Sequence, residues 1–142
     1  MYKAVRTFTL DVPVQTLLDV VWDVEHYPKF VKGVRKVTIL HDGERAREAE
    51  FRAGIAGMEF RYVLALERSE NSVRWRRLRG SFRDAAGAVI HEGGDTFRYE
   101  NAMDPGFAAP GFAVRFILER SLPRLIREFC ERAKALARER AR

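Results

Sequence analysis

Cysteine is almost missing from this chain: among 142 residues only Cys130 carries a thiol. An internal disulfide is excluded, so the core alone must hold the molecule together. A chain of this length buries roughly two thirds of its unfolded surface and needs no staple. The lone cysteine favours a reducing, cytoplasmic setting, with Cys130 itself expected as a buried, inert thiol. Long apolar runs are missing too. No stretch approaches the roughly 20 residues of a membrane-crossing helix. The opening MYKAVRTFTLDV alternates in period two and lacks a leader's apolar segment. Histidine is scarce: His26, His41 and His91 fall in three segments, none with a partner at the spacing of a zinc helix. No Gly-rich phosphate loop or serine elbow occurs, so the sequence implies no metal and no cofactor.

Positive charge, by contrast, is plentiful. Lys and Arg number 26 against 20 Asp and Glu, giving a net charge of +6, and all but five of the 26 are arginine. Such a balance suits a nucleic acid or an acidic membrane. The acids are interleaved along the chain, however, which reads as a solvated surface. At the C-terminus Arg124, Arg127, Arg132 and Arg138 alternate with Glu128, Glu131 and Glu139 at helix-pairing distances. The one aromatic among them, Phe129, belongs to the apolar stripe of this segment and does not interleave with the basic residues as a base-stacking platform would require.

Periodicity predicts an α+β domain spanning 1–142. YKAVRTFTLD reads as a strand. Pro13 opens a helix whose apolar stripe over Val14–Val24 includes Leu17, Leu18, Val21 and Trp22. Pro28 stops it. YPKFVKG forms a turn or second short helix, ended by Gly33. About six antiparallel strands follow, the first two joined by the hairpin HDGE. Alternation places Ala49, Phe51, Ala53 and Ile55 on one face. It does the same for Met58, Phe60, Tyr62, Leu64 and Leu66, for Val73, Trp75, Arg77 and Arg79, and for Phe97, Tyr99, Asn101 and Met103. Gly87 is read as marking a bulge. Asp104 to Gly111 is expected as a loop. From Phe112 to Arg140 a long amphipathic helix should turn Leu118, Leu122, Leu125 and Phe129 inward, with a kink or break near Ser121 caused by Pro123.

The run VWDVEHYPKFVKGVRKVTIL, the LRGSF followed by AAG, and the terminal amphipathic helix resemble the START-like superfamily. Within it they are similar to the polyketide cyclase/dehydrase and lipid-transport family, with coenzyme Q-binding proteins and the ribosome-association toxin as relatives. The resemblance covers nearly the whole chain. It implies a helix-grip fold, in which a curved antiparallel sheet clasps the C-terminal helix around a hydrophobic cavity. It also implies that Tyr27 and Phe30, presented by Pro28, stand at the cavity mouth; the alternative is that they are core residues joining the first helix to the sheet. The chain departs from the family after Gly87, where Ala88 and Val89 replace a frequent tryptophan.

The parity of the strands nominates Phe51, Ala53, Phe60, Tyr62, Trp75, Phe97 and Tyr99 as cavity walls, with Ile117 of the terminal helix added to them. Arg77 shares the face of Trp75. Its guanidinium must therefore meet a carboxylate or a ligand anion, or else reach the sheet edge or Glu92 or Glu100. The expected function is binding of a hydrophobic or aromatic small molecule such as a lipid, quinone or polyketide-like compound. Two alternatives stand beside it. One is a cyclase or dehydratase that uses Tyr62, Tyr99 and Arg77, as the resemblance implies. The other is a ribosome- or RNA-interacting module that uses a basic surface.

Overall fold

The computed structural model describes residues 1–55, 57–106 and 111–142. Strand β1 (Tyr2–Thr9) leads into α1 (Val14–Trp22) and a 3-10 helix, Val24–Lys29. Six strands follow: β2 (Val34–Asp42), β3 (Ala46–Ile55), β4 (Met58–Arg68), β5 (Ser72–Gly80), β6 (Asp84–Gly93) and β7 (Thr96–Asp104). Helix α2 (Gly111–Arg140) ends the chain. The loop expected at Asp104–Gly111 lies partly outside the described residues, at 107–110.

The strands form one antiparallel sheet in the order β1-β7-β6-β5-β4-β3-β2. Every hairpin pairs sequence neighbours, and β7 closes back on β1 with Phe8 opposite Phe97. Short Gly-, Asp- and Asn-bearing turns make this meander cheap to form. Its inner face carries Ala49, Phe51 and Ala53 on β3, and Leu64 and Leu66 on β4, all buried.

Helix α2 packs its backbone against β1, β7 and α1. Val114, Leu118, Leu122, Phe129 and Ala133 form its buried stripe, as their three- and four-residue spacing dictates. Leu125 is only half-buried, at the flank of that stripe. The break expected near Ser121 does not occur: α2 is helical from Gly111 to Arg140 with Pro123 inside it. Proline removes one donor, and the Ser121 hydroxyl donates to the Leu118 carbonyl at 3.2 Å one turn earlier. Cys130 is half-buried, and burial raises its thiol pKa.

Two strand features differ from simple alternation. The ladder slips between Val63 and Leu64, where Arg79 and then Arg77 are their partners. Leu78 is the extra residue of a bulge, so Arg79 leaves the face of Trp75 and Arg77 and turns outward. Gly87, in contrast, is in regular register with Trp75 on one side and Asn101 on the other. It is a seat rather than a bulge. A Cβ there would come within 2.4 Å of the Trp75 ring.

Candidate functional site

An arc of aromatic rings lines the inner face between the sheet and α2. At its centre Phe51 stacks on Tyr62 with ring centroids 5.5 Å apart and planes 4° from parallel. Phe51 also meets Tyr27 at 6.1 Å, and Tyr27 meets Phe129 of α2 at 5.4 Å. From Phe129 the arc continues to Tyr99 at 6.0 Å and on to Trp75 at 5.7 Å. In the other direction Tyr62 meets Phe82 at 5.4 Å, and Phe82 stacks on Phe60 at 4.8 Å. Phe51, Tyr27, Phe129 and Tyr99 are buried, whereas Trp75, Tyr62, Phe60 and Phe82 are half-buried. The arc is therefore sealed in the middle and more open where β4 begins and β5 ends.

Three phenols converge within it: those of Tyr99 and Tyr62 help to raise Tyr27, and that of Tyr62 helps to raise Tyr99. The Tyr27 hydroxyl is committed: it donates to the Val21 carbonyl at 2.5 Å and pins the 3-10 helix to α1. Among the described residues, no protein group accepts from or donates to the Tyr62 or Tyr99 hydroxyl. Both hydroxyls lie among the aromatic rings of the inner face, Tyr99 buried and Tyr62 half-buried. Burial pushes Tyr62 up to about 12 and raises Tyr99 further, with the Tyr62 phenol adding to the second shift. Tyr27 is raised as well, mainly by burial. All three are neutral hydrogen-bond donors throughout the physiological range.

Ala53 lies on the same face, 4% exposed, opposite Phe60 and Val34. Arg77 faces inward opposite Leu64 but meets neither Glu92 nor Glu100, which Arg98 holds at 2.7 and 3.4 Å. Its guanidinium instead donates to the Gly80 carbonyl at 2.7 Å and the Ser81 carbonyl at 3.3 Å, tying off the β5–β6 turn. That resolves the cost of its partial burial without a carboxylate.

Four nominated residues depart from their expected places. Phe97 is fully buried at the opposite end of the sheet, stacked on Phe8 at 5.6 Å and 5.2 Å from His91. Parity placed it on the inner face, but the length of β7 separates its level from Tyr62. Ile117 is 37% exposed, and with Phe112 and Phe116 it borders a surface cleft of about 600 Å³ along α2. It sits off the Val114–Leu118–Leu122 stripe, which the helix period, applied strictly, reveals. Tyr27 stands in the core rather than at a mouth. Phe30 is half-buried and borders a second cleft of about 410 Å³ where α1 meets the end of α2. The Arg132 guanidinium lies 5.4 Å from the Phe30 ring. In that cleft Asp19 bridges Arg68 at 2.6 Å and Arg140 at 2.7 Å.

Sequence reasoning missed Phe82. It is the one described non-glycine residue with a positive φ, at 72°. A left-handed bulky residue costs roughly 1–2 kcal/mol, and here the turn uses that geometry to lay the ring on Phe60 and Tyr62. The signal was available: a phenylalanine inside GSF, where a turn calls for a small polar residue.

Residues 10–130 match the family described as polyketide cyclase/dehydrase and lipid transport. The chain belongs to that family. Solved structures share its helix-grip architecture. A START superfamily protein from Mycobacterium smegmatis superimposes with a TM-score of 0.83 at 17% identity, over 96% of this chain and 99% of that one. The Zhui aromatase/cyclase from Streptomyces sp. R1128 gives 0.75 at 16% identity, over 99% and 95%. A STAR-related lipid transfer protein fragment from Xanthomonas axonopodis gives 0.72 at 11% identity, over 93% and 85%. At these identities the likeness speaks for the fold. A comparison with curated proteins finds no match. No helix among the described residues is long and apolar enough to cross a membrane.

Proposed function

We propose that this member of the polyketide cyclase/dehydrase and lipid-transport family binds a flat apolar molecule bearing hydrogen-bond acceptors, seated against the aromatic arc between the sheet and α2. The observation that carries the reading is the Tyr62–Tyr99 pair. Two neutral phenols face an apolar wall and have no protein partner among the described residues, whereas the third, Tyr27, is satisfied by Val21. An apolar site with a few placed donors is what small-molecule pockets contain. Rings suit the stacked walls at Phe51, Phe60 and Phe82, and carbonyl oxygens suit the phenols. Quinone-like and polyketide-like compounds combine the two. No histidine or carboxylate contributes to the shifts of Tyr62 or Tyr99. The aromatic surroundings of the pair suit orienting and polarising an acceptor, which supports the binding reading.

The test is titration with quinone, fatty-acid and aromatic polyketide compounds while following tryptophan fluorescence, since Trp75 ends the arc. Ala53→Phe fills the inner face and should abolish binding. Tyr62→Phe should weaken a carbonyl ligand by about 1 kcal/mol. A ligand bound equally well by the wild type and both variants would place the pocket elsewhere.

A further inference from the structure

The outer face of the sheet gathers cations that the sequence interleaves with acids. On β5, Arg74 and Arg76 flank the inward-facing Trp75 and so point away from α2. The bulge at Leu78 turns Arg79 to the same outer side, opposite Val63, and Arg61 of β4 shares that face. All four are exposed, and among the described residues none of them forms an ion pair. Their cross-strand neighbours give the reason. Arg76 lies between Ala65 and Ala86, and Arg79 beside Val63. Arg74 lies between Ala88 and Glu67, the latter without an ion pair to it.

The row continues sideways. Arg61 is in register with Arg52, and Arg52 with Lys36. Like charges directly opposite one another destabilise a sheet. Glu59 answers this row, and it is divided between Arg52 at 2.8 Å and Arg35 at 3.2 Å. Beneath the guanidinia Val63, Ala88 and Ile90 are buried although they lie outside the main core. Arginine stems can cover such a floor while their heads stay in water.

Arg74 and Arg76, alternate residues of one strand, are about 6.6 Å apart, the bulge at Leu78 lengthens the step to Arg79, and adjacent strands lie about 4.8 Å apart. Large apolar side chains are not exposed on β5 or β6, and on β4 only Met58 at its start is. A bilayer would find nothing to insert there. An extended chain of phosphates would find the exposed guanidinia of Arg61, Arg74, Arg76 and Arg79, with Glu67 beside Arg74 and Glu48 and Glu50 one strand beyond the others.

We propose that this face binds the phosphodiester backbone of a nucleic acid, without reading its bases. Aromatic side chains are not part of the outer cation row, so contact is to phosphate and strongly dependent on salt. The site lies on the face of the sheet opposite to the binding proposed above.

The experiment measures affinity for short single-stranded and duplex RNA and DNA across a salt series. It compares the full chain with the combined variant Arg74→Ala, Arg76→Ala, Arg79→Ala. A control variant, Arg115→Ala, Arg120→Ala, Arg127→Ala on α2, removes the same charge elsewhere. Thermal melts of both should stay near wild type, because the positions are exposed. The slope of log affinity against log salt should fall in magnitude by about 0.7 per lost contact on single strands or 0.9 on duplexes, hence by about two to three units. The control should keep the wild-type slope. Preference among the four nucleic acids identifies which backbone the face fits. Equal slopes for the two variants, absence of salt-dependent binding by the wild type, or binding to anionic phosphatidylserine vesicles but not to nucleic acid would each overturn the proposal.

Discussion

Phe82 shows how a single residue trades backbone comfort for position. Its φ of 72° is costly for a side chain with a β-carbon, yet it places the ring 4.8 Å from Phe60 and 5.4 Å from Tyr62. Phe82→Gly would relieve the backbone and delete the ring together. The expected outcome is a thermal melt near that of the wild type, because about 1 kcal/mol regained from the backbone offsets the lost stacking. Ligand affinity should fall several-fold in the same protein. A large loss of stability with affinity intact would make Phe82 a packing residue only. Gly87 is the complementary case. Its hydrogen leaves room for the Trp75 ring, so any side chain there must expel the indole from the arc.

Helix α2 is where the sequence was most legible. Spacing alone identified Leu118, Leu122 and Phe129, because one face of a long helix must meet the core and the helix period admits few choices. Leu125 and Ile117 lie at the margins of that stripe, where one residue of phase decides between core and solvent. The fully buried position makes the sharper test. Leu122→Ala should cost about 2–5 kcal/mol in chemical denaturation, and Leu125→Ala clearly less. Equal losses would mean that α2 is rotated relative to this description. Strand alternation was equally legible on β3 and β4, where Phe51, Ala53, Phe60 and Tyr62 fell on the inner face as their parity required. It failed at Arg79, because no local signal in VRWRRLRG marks Leu78 as an extra residue. Parity also cannot say how far along the sheet a residue sits, which is why Phe97 was grouped with rings at the other end. The partnerless phenols, likewise, follow from how distant strands are brought together.

At the scale of the whole molecule, the buried phenols couple stability to pH. In the unfolded chain a tyrosine ionises near pH 10, but the folded protein holds Tyr62 neutral to about 12 and Tyr27 and Tyr99 are raised as well. Raised folded values mean that the unfolded state loses protons first. Their contribution is fully present below about pH 10 and is lost as pH climbs toward 12 and beyond. Tyr62 alone accounts for something on the order of 2–3 kcal/mol over that interval. Denaturation midpoints should therefore be flat around neutrality and drop steeply above about pH 10, and Tyr62→Phe together with Tyr99→Phe should flatten the drop. The same pair decides the functional claim. The most direct measurement compares the affinity of naphthoquinone with that of naphthalene for the wild type and for the double phenylalanine variant. Stacking is common to both ligands, and only the quinone offers carbonyls to the phenols. The account predicts that the wild type favours the quinone by about 1 kcal/mol per hydroxyl used, and that the variant loses this preference while still binding the hydrocarbon. A quinone preference unchanged by the loss of both hydroxyls would contradict it.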